Sequence, residues 1–124
     1  MTIWPDDMIL TEAHAAELMA RGACSTARRY IGVTVGEAAR AEPGAALRYA
    51  ADLLSPETLD WCAHEVPRAA LRHAADRLSP ETLDRCARAE PWAALEYAAA
   101  RLSPETLDWC ASARPWTALH HAAD

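Results

Sequence analysis

The heptapeptide Leu-Ser-Pro-Glu-Thr-Leu-Asp stands unchanged at residues 54–60, 78–84 and 102–108, a period of 24 residues. A fixed period of this length makes the chain an array of like units, each too small to bury its apolar face alone and stable only against its neighbours. Prolines set the register. Pro43, Pro67 and Pro91 open complete units over 43–66, 67–90 and 91–114, and Pro115 opens a half unit over 115–124.

Two short helices are expected in each unit. Proline suits a first helical turn, where its missing N–H has no partner to lose, so the first helix should run from Pro43 to about Leu54. Ser55 then caps a second helix, with Pro56 at its first position and Glu57 beside the positive end of the helix dipole. That helix must stop before Pro67, because a residue preceding proline avoids the α region. The first helix carries the apolar stripe Ala46, Leu47, Ala50, Ala51 and Leu54. It is copied at Ala70, Leu71, Ala74, Ala75 and Leu78, and again at Ala94, Leu95, Ala98, Ala99 and Leu102. The second helix keeps Leu59, Cys62 and Ala63. So much alanine implies close packing, and the expected fold is all-α: a solenoid of short antiparallel helix pairs.

Residues 1–42 read as an irregular helical cap on this array. Thr11 caps a helix that stops near Gly22, Ser25 starts a short second helix, and Thr34 with Glu37 has capping-box spacing for a third from Val35 to about Ala41. Stepping back 24 residues places Val35 in the column of Leu59, so the repeat register reaches that far before it fades. Cap and array are expected to form one continuous domain.

Cys62, Cys86 and Cys110 share one repeat position. Stacked helices lie about 8–10 Å apart, beyond the Cα separation that a disulfide tolerates, so these three read as buried thiols. Cys24 stands outside the column. No Cys-x-x-Cys pair occurs, and neither a metal nor a cofactor is expected. The 18 acidic residues outweigh 12 basic ones, all arginine, for a net charge of −6. Such a surface disfavours direct nucleic-acid binding and suits a basic protein partner. No apolar run is long enough for a membrane span, and the start, with Trp4, Pro5, Asp6 and Asp7, lacks a signal-peptide pattern, so a cytoplasmic location is expected.

Candidate recognition residues lie in the repeated columns. Glu57 and Asp60 share a helix face, as do Glu81 with Asp84 and Glu105 with Asp108, and stacking would line the six carboxylates along one edge. A structural role competes: each glutamate stabilises a helix N-terminus, and each aspartate can pair with an arginine of the next unit. A second column holds Trp61, Arg85 and Trp109, expected to lean outward with Arg85 between the two rings in cation–π contact. Alternatively the rings cover the groove between units. No catalytic residue is expected, because the polar groups are spread by the repeat instead of gathered in one pocket, and neither a phosphate loop nor a nucleophile elbow is present. A DNA-reading helix-turn-helix is disfavoured by the carboxylates that open each second helix.

The run Tyr49-Ala50-Ala51-Asp52-Leu53-Leu54-Ser55-Pro56-Glu57-Thr58-Leu59-Asp60-Trp61-Cys62-Ala63 and its copies resemble the short α-helical repeats of phage and prophage proteins, similar in architecture to HEAT and armadillo arrays. In general character, small, acidic, lysine-free and without a catalytic motif, the chain also resembles the anti-CRISPR inhibitors. That resemblance implies a phage-encoded inhibitor that acts as a DNA mimic in the bacterial host cytoplasm. Its acidic face would block a basic nucleic-acid-binding surface of a defence complex, with a CRISPR effector subunit as the partner. The other expectation is a bacterial scaffold that binds a peptide or protein subunit through its Trp, Tyr and Arg columns. The terminal stripe Ala118, Leu119, Ala122 and Ala123 has no following helix to cover it, and self-association there is a further expectation.

Overall fold

The computed structural model describes residues 2–123, with side chains described through residue 113. Its N-terminal region holds α1 (Glu12–Ala20), a 3-10 helix (Ser25–Tyr30) and α2 (Val35–Ala41). Three pairs follow: α3 (Pro43–Ala50) with α4 (Pro56–Glu65), α5 (Pro67–His73) with α6 (Pro80–Ala89), and α7 (Pro91–Tyr97) with α8 (Pro104–Ala123). The fold is all-helical among the described residues, apart from one isolated antiparallel bridge between Ile9 and Thr34.

Local chemistry starts these helices where the sequence places their caps. Ser55 and Ser79 accept the backbone N–H of Thr58 and Thr82, each at 3.2 Å, and Ser103 accepts that of Thr106 at the same distance. Thr34 does the same for Glu37 at 3.2 Å. At α1 the box is closed by a histidine: Thr11 accepts from the His14 N–H, and the His14 ring nitrogen Nδ1 accepts from the Thr11 N–H at 3.0 Å. After α1 the chain turns at Gly22, whose φ of +109° lies in the region that favours glycine.

The corners between units are equally regular. Glu42, Val66 and Glu90, each preceding a proline, hold φ of −138°, −134° and −135° with ψ of 72°, 72° and 70°. The proline ring excludes the α region at the residue before it, so each unit ends in the same bend. Two expectations are corrected here. The first helices of the units are shorter than the apolar stripe implies: α5 and α7 end at His73 and Tyr97, and the stripe continues through 3-10 turns at Ala75–Arg77 and Ala99–Arg101. The tighter turn swings the chain toward the serine cap that follows. The second correction is at Pro115, where no corner forms and α8 runs through as one helix.

Packing follows the period. Helices α3, α5 and α7 touch in succession, and so do α2, α4, α6 and α8, while the two members of each pair also pack together. Helix α2 thus occupies the place of a second helix in a unit that precedes the first repeat. Leu47, Leu71, Thr58 and Cys62 lose all solvent contact in the interior. Burying a leucine completely is worth about 1.5–3 kcal/mol, so the two leucines anchor successive units. The Ala118–Leu119–Ala122–Ala123 stripe, and the self-association expected of it, lie outside the described side chains.

Candidate functional site

The two acidic columns of the repeat differ in what they touch. Thr82 Oγ1 donates to the carboxylate of Asp60, and Thr106 Oγ1 donates to that of Asp84. The threonine of one unit is therefore held by the aspartate of the unit before it. All three column threonines, Thr58, Thr82 and Thr106, are buried, and a buried hydroxyl needs such a partner.

At the first repeat the column offers no aspartate, because the position 24 residues before Asp60 is Gly36. Asp6 takes its place. Its Oδ1 accepts from Thr58 Oγ1 at 2.7 Å and from Ser55 Oγ at 2.8 Å. The N-terminal segment that carries Asp6 lies as a strap over the start of α2. Gly36 N donates to Asp6 O at 2.9 Å, Val35 N to Met8 O at 2.9 Å, and Trp4 N to Leu53 O at 2.7 Å. A Cβ at position 36 would sit 3.3 Å from that Asp6 carbonyl oxygen, so the glycine makes room for the strap that brings in the missing carboxylate. Trp4 anchors the strap, buried beside the His14 ring at a centroid distance of 4.7 Å.

The cysteine column forms a second set of rungs. Cys62 donates to Ala39 O at 3.8 Å, Cys86 to Ala63 O and Cys110 to Ala87 O, the last two at 3.6 Å. All three are free thiols, as expected, and burial pushes Cys62 and Cys86 up to about 11. A thiol so rarely ionised is a packing group, not a nucleophile. Cys24 is exposed, and the Thr26 hydroxyl lowers its pKa.

Glu57, Glu81 and Glu105 are exposed, and none has an ion pair or side-chain hydrogen bond among the described residues. Asp108 is exposed at the end of the aspartate column, with no side-chain partner there. Asp84 also pairs with Arg88 on its own helix at 3.0 Å; the Thr106 hydroxyl first, and then Arg88, hold its carboxyl below the usual range. So the arginine partner of this aspartate comes from the same unit, where the sequence suggests the next.

The aromatic column is also arranged differently from expectation. Arg85 does not lie between the tryptophans; it is exposed, without a ring contact among the described residues. Arg40 stacks over Trp61 at 5.3 Å and Arg88 over Trp109 at 5.2 Å. Each ring takes its cation from 21 residues earlier, on the preceding second helix. Trp61 is half-buried against the core, covering the groove, whereas Trp109 is 40% exposed.

Two recesses flank α3. One is an apolar cavity of about 160 Å³ between the N-terminal region and α3, with Trp4, Leu10, Val35 and Leu54 among its walls. The other is a polar cleft of about 420 Å³, where Arg21 binds Asp52 through both oxygens at 2.6 and 3.2 Å, beside Arg48 and His73. The guanidinium of Arg21 holds the Asp52 carboxyl low, and burial lowers the pKa of His73. No cluster of metal-ligating side chains occurs among the described residues. No helix among them is long and apolar enough to cross a membrane.

The threonine rungs, Asp6 and both recesses escape a reading of the sequence for function. A signal for the rungs was available: threonine is kept in all three heptapeptides without being apolar, and glycine interrupts the aspartate column at position 36. No family model matches the chain, and no curated protein or solved structure shows significant similarity to it.

Proposed function

We propose that the chain is a short helical-repeat solenoid that works as a non-enzymatic protein-binding module, presenting Glu57, Glu81 and Glu105, with Asp108 beside them, to a basic protein surface. One observation carries this reading: the glutamate column is exposed and unpaired among the described residues, while its neighbours Asp60 and Asp84 are engaged between units. A row of like charges with no cation opposite repels itself, and a basic partner relieves that repulsion. In this reading Asp60 and Asp84 add field, not direct contacts.

In its most specific form the reading is a phage-encoded, anti-CRISPR-like inhibitor that occupies a nucleic-acid-binding surface of a bacterial defence complex, such as a CRISPR effector subunit, without binding nucleic acid itself. The net charge of −6 supports it, as does the regular spacing of the glutamates. Capture from a bacterial lysate with the wild-type chain beside the Glu57→Gln/Glu81→Gln/Glu105→Gln variant tests both forms. Binding of a nucleic-acid-handling complex that weakens steeply with salt and disappears in the variant is the expected result. Equal capture by both chains refutes the acidic-face reading.

A scaffold that binds through aromatic and arginine columns is the second reading. What favours it is that Trp109 and Tyr97 are both exposed, each under a guanidinium, Arg88 at 5.2 Å and Arg72 at 5.5 Å. Trp109→Ala should then abolish capture with the fold retained, and the glutamine variant should not.

A further inference from the structure

The apolar cavity between the N-terminal region and α3 has one polar side. At its rim Glu42 accepts the hydroxyl of Tyr30 at 2.5 Å. Glu42 is exposed and has no ion pair with arginine or histidine among the described residues. It lines a chamber whose other walls are mainly hydrocarbon and aromatic. The volume is close to that of an engineered apolar cavity of about 150 Å³ that holds one benzene molecule.

We infer that this cavity binds a small amphipathic amine, its hydrocarbon body of about one aromatic ring in the chamber and its ammonium on the Glu42 carboxylate. Three observations choose this ligand class. The Tyr30 proton is already given to Glu42, so the rim offers an acceptor to a donor from the ligand. An anionic group would be repelled by the same carboxylate, and a neutral hydrocarbon would leave it unused. The Tyr30 ring, which also lines the cavity, offers an aromatic surface that favours a cation over a neutral donor. The site is separate from the glutamate column, and it stands or falls independently of the partner proposed above.

Cys24 lines the mouth and is the one exposed thiol among the described cysteines, so its alkylation reports occupancy. The test titrates 2-phenylethylamine into the full chain, follows amide NMR shifts and the rate of Cys24 alkylation by iodoacetamide, and uses ethylbenzene as the neutral probe. Saturable binding of the amine that slows alkylation several-fold is expected. Glu42→Gln, at an exposed rim position, should weaken the amine about tenfold, the loss of one charge-assisted contact, and leave ethylbenzene unchanged. Ala46→Leu, which fills the chamber, should abolish binding of both probes while circular dichroism confirms the fold. The inference is overturned if the wild type shows no saturable binding at millimolar amine, if Glu42→Gln binds the amine as tightly as the wild type, or if the filled variant still binds.

Discussion

Between successive repeats, the carboxylate that receives a buried threonine stands on the preceding second helix: Asp60 for Thr82, Asp84 for Thr106. At the first repeat, Thr58 is received by Asp6, which belongs to an extended strap some thirty positions before the place the register assigns. The two junctions make the same bond from unlike parts. What the fold requires is therefore an acceptor at that point in space, and helix α2 yields its own column position to Gly36 so that the strap can pass. The strap also carries Trp4, so one segment closes the open end of the stack and completes its polar rung.

The largest effect should come from the anchor that the repeat junctions lack. Trp4→Ala removes a buried ring and should cost about 3–5 kcal/mol of unfolding free energy, read from urea denaturation. A loss below about 1 kcal/mol would mean that the strap merely rests on the array.

Next in size are the rungs. Asp6→Ala and Asp60→Ala each leave a buried threonine hydroxyl without its acceptor, at about 1–3 kcal/mol. The comparison predicts losses of similar size from the two variants. A silent Asp6→Ala beside a costly Asp60→Ala would break it, by showing that the strap's carboxylate is not the equal of a repeat's.

A smaller effect separates the junctions by pH. Asp52 is held low by the guanidinium of Arg21 on the N-terminal side, and Asp84 first by the Thr106 hydroxyl between repeats. Both folded pKa values lie below the unfolded ones, so the unfolded chain binds more protons in acid. Their stabilisation is present above about pH 4 and is lost as pH falls through the folded values. Urea midpoints should therefore drop as pH falls below about 4. Added salt should shrink the part due to Asp52, an ion pair, more than the part due to Asp84, whose first partner is a neutral hydroxyl. Arg21→Gln should remove the larger salt-sensitive part and leave that of the Asp84–Arg88 pair.

Much of this was legible in the residues, for identifiable reasons. Proline, serine and the alanine stripes act locally or through a fixed period, and the caps at Ser55, Ser79 and Ser103, the pre-proline corners and the buried cysteine column all follow from them. Where partners come from other units, the sequence was less informative. Arg85 lies in the same column as Trp61 and Trp109, yet those rings are taken by Arg40 and Arg88 from the preceding second helices. Asp6 lies outside any repeat, and only the glycine at position 36 marks the gap it fills. The cavity beside α3 escaped because it is made by contacts between the irregular N-terminal region and the first unit, which no periodicity encodes.

The most direct test of the division between the two acidic columns compares matched pairs on the same helices. Asp60→Ala/Asp84→Ala and Glu57→Gln/Glu81→Gln are unfolded in urea at neutral pH and physiological ionic strength. The aspartate pair should lose about 2–6 kcal/mol, because two buried threonine hydroxyls lose their carboxylate acceptors and keep only their contacts with Ser79 and Ser103. The glutamate pair should lose less than about 1 kcal/mol, the screened remainder of two helix-dipole contacts. Equal losses from the two variants would contradict the assignment of the aspartate column, and not the glutamate column, to joining the units.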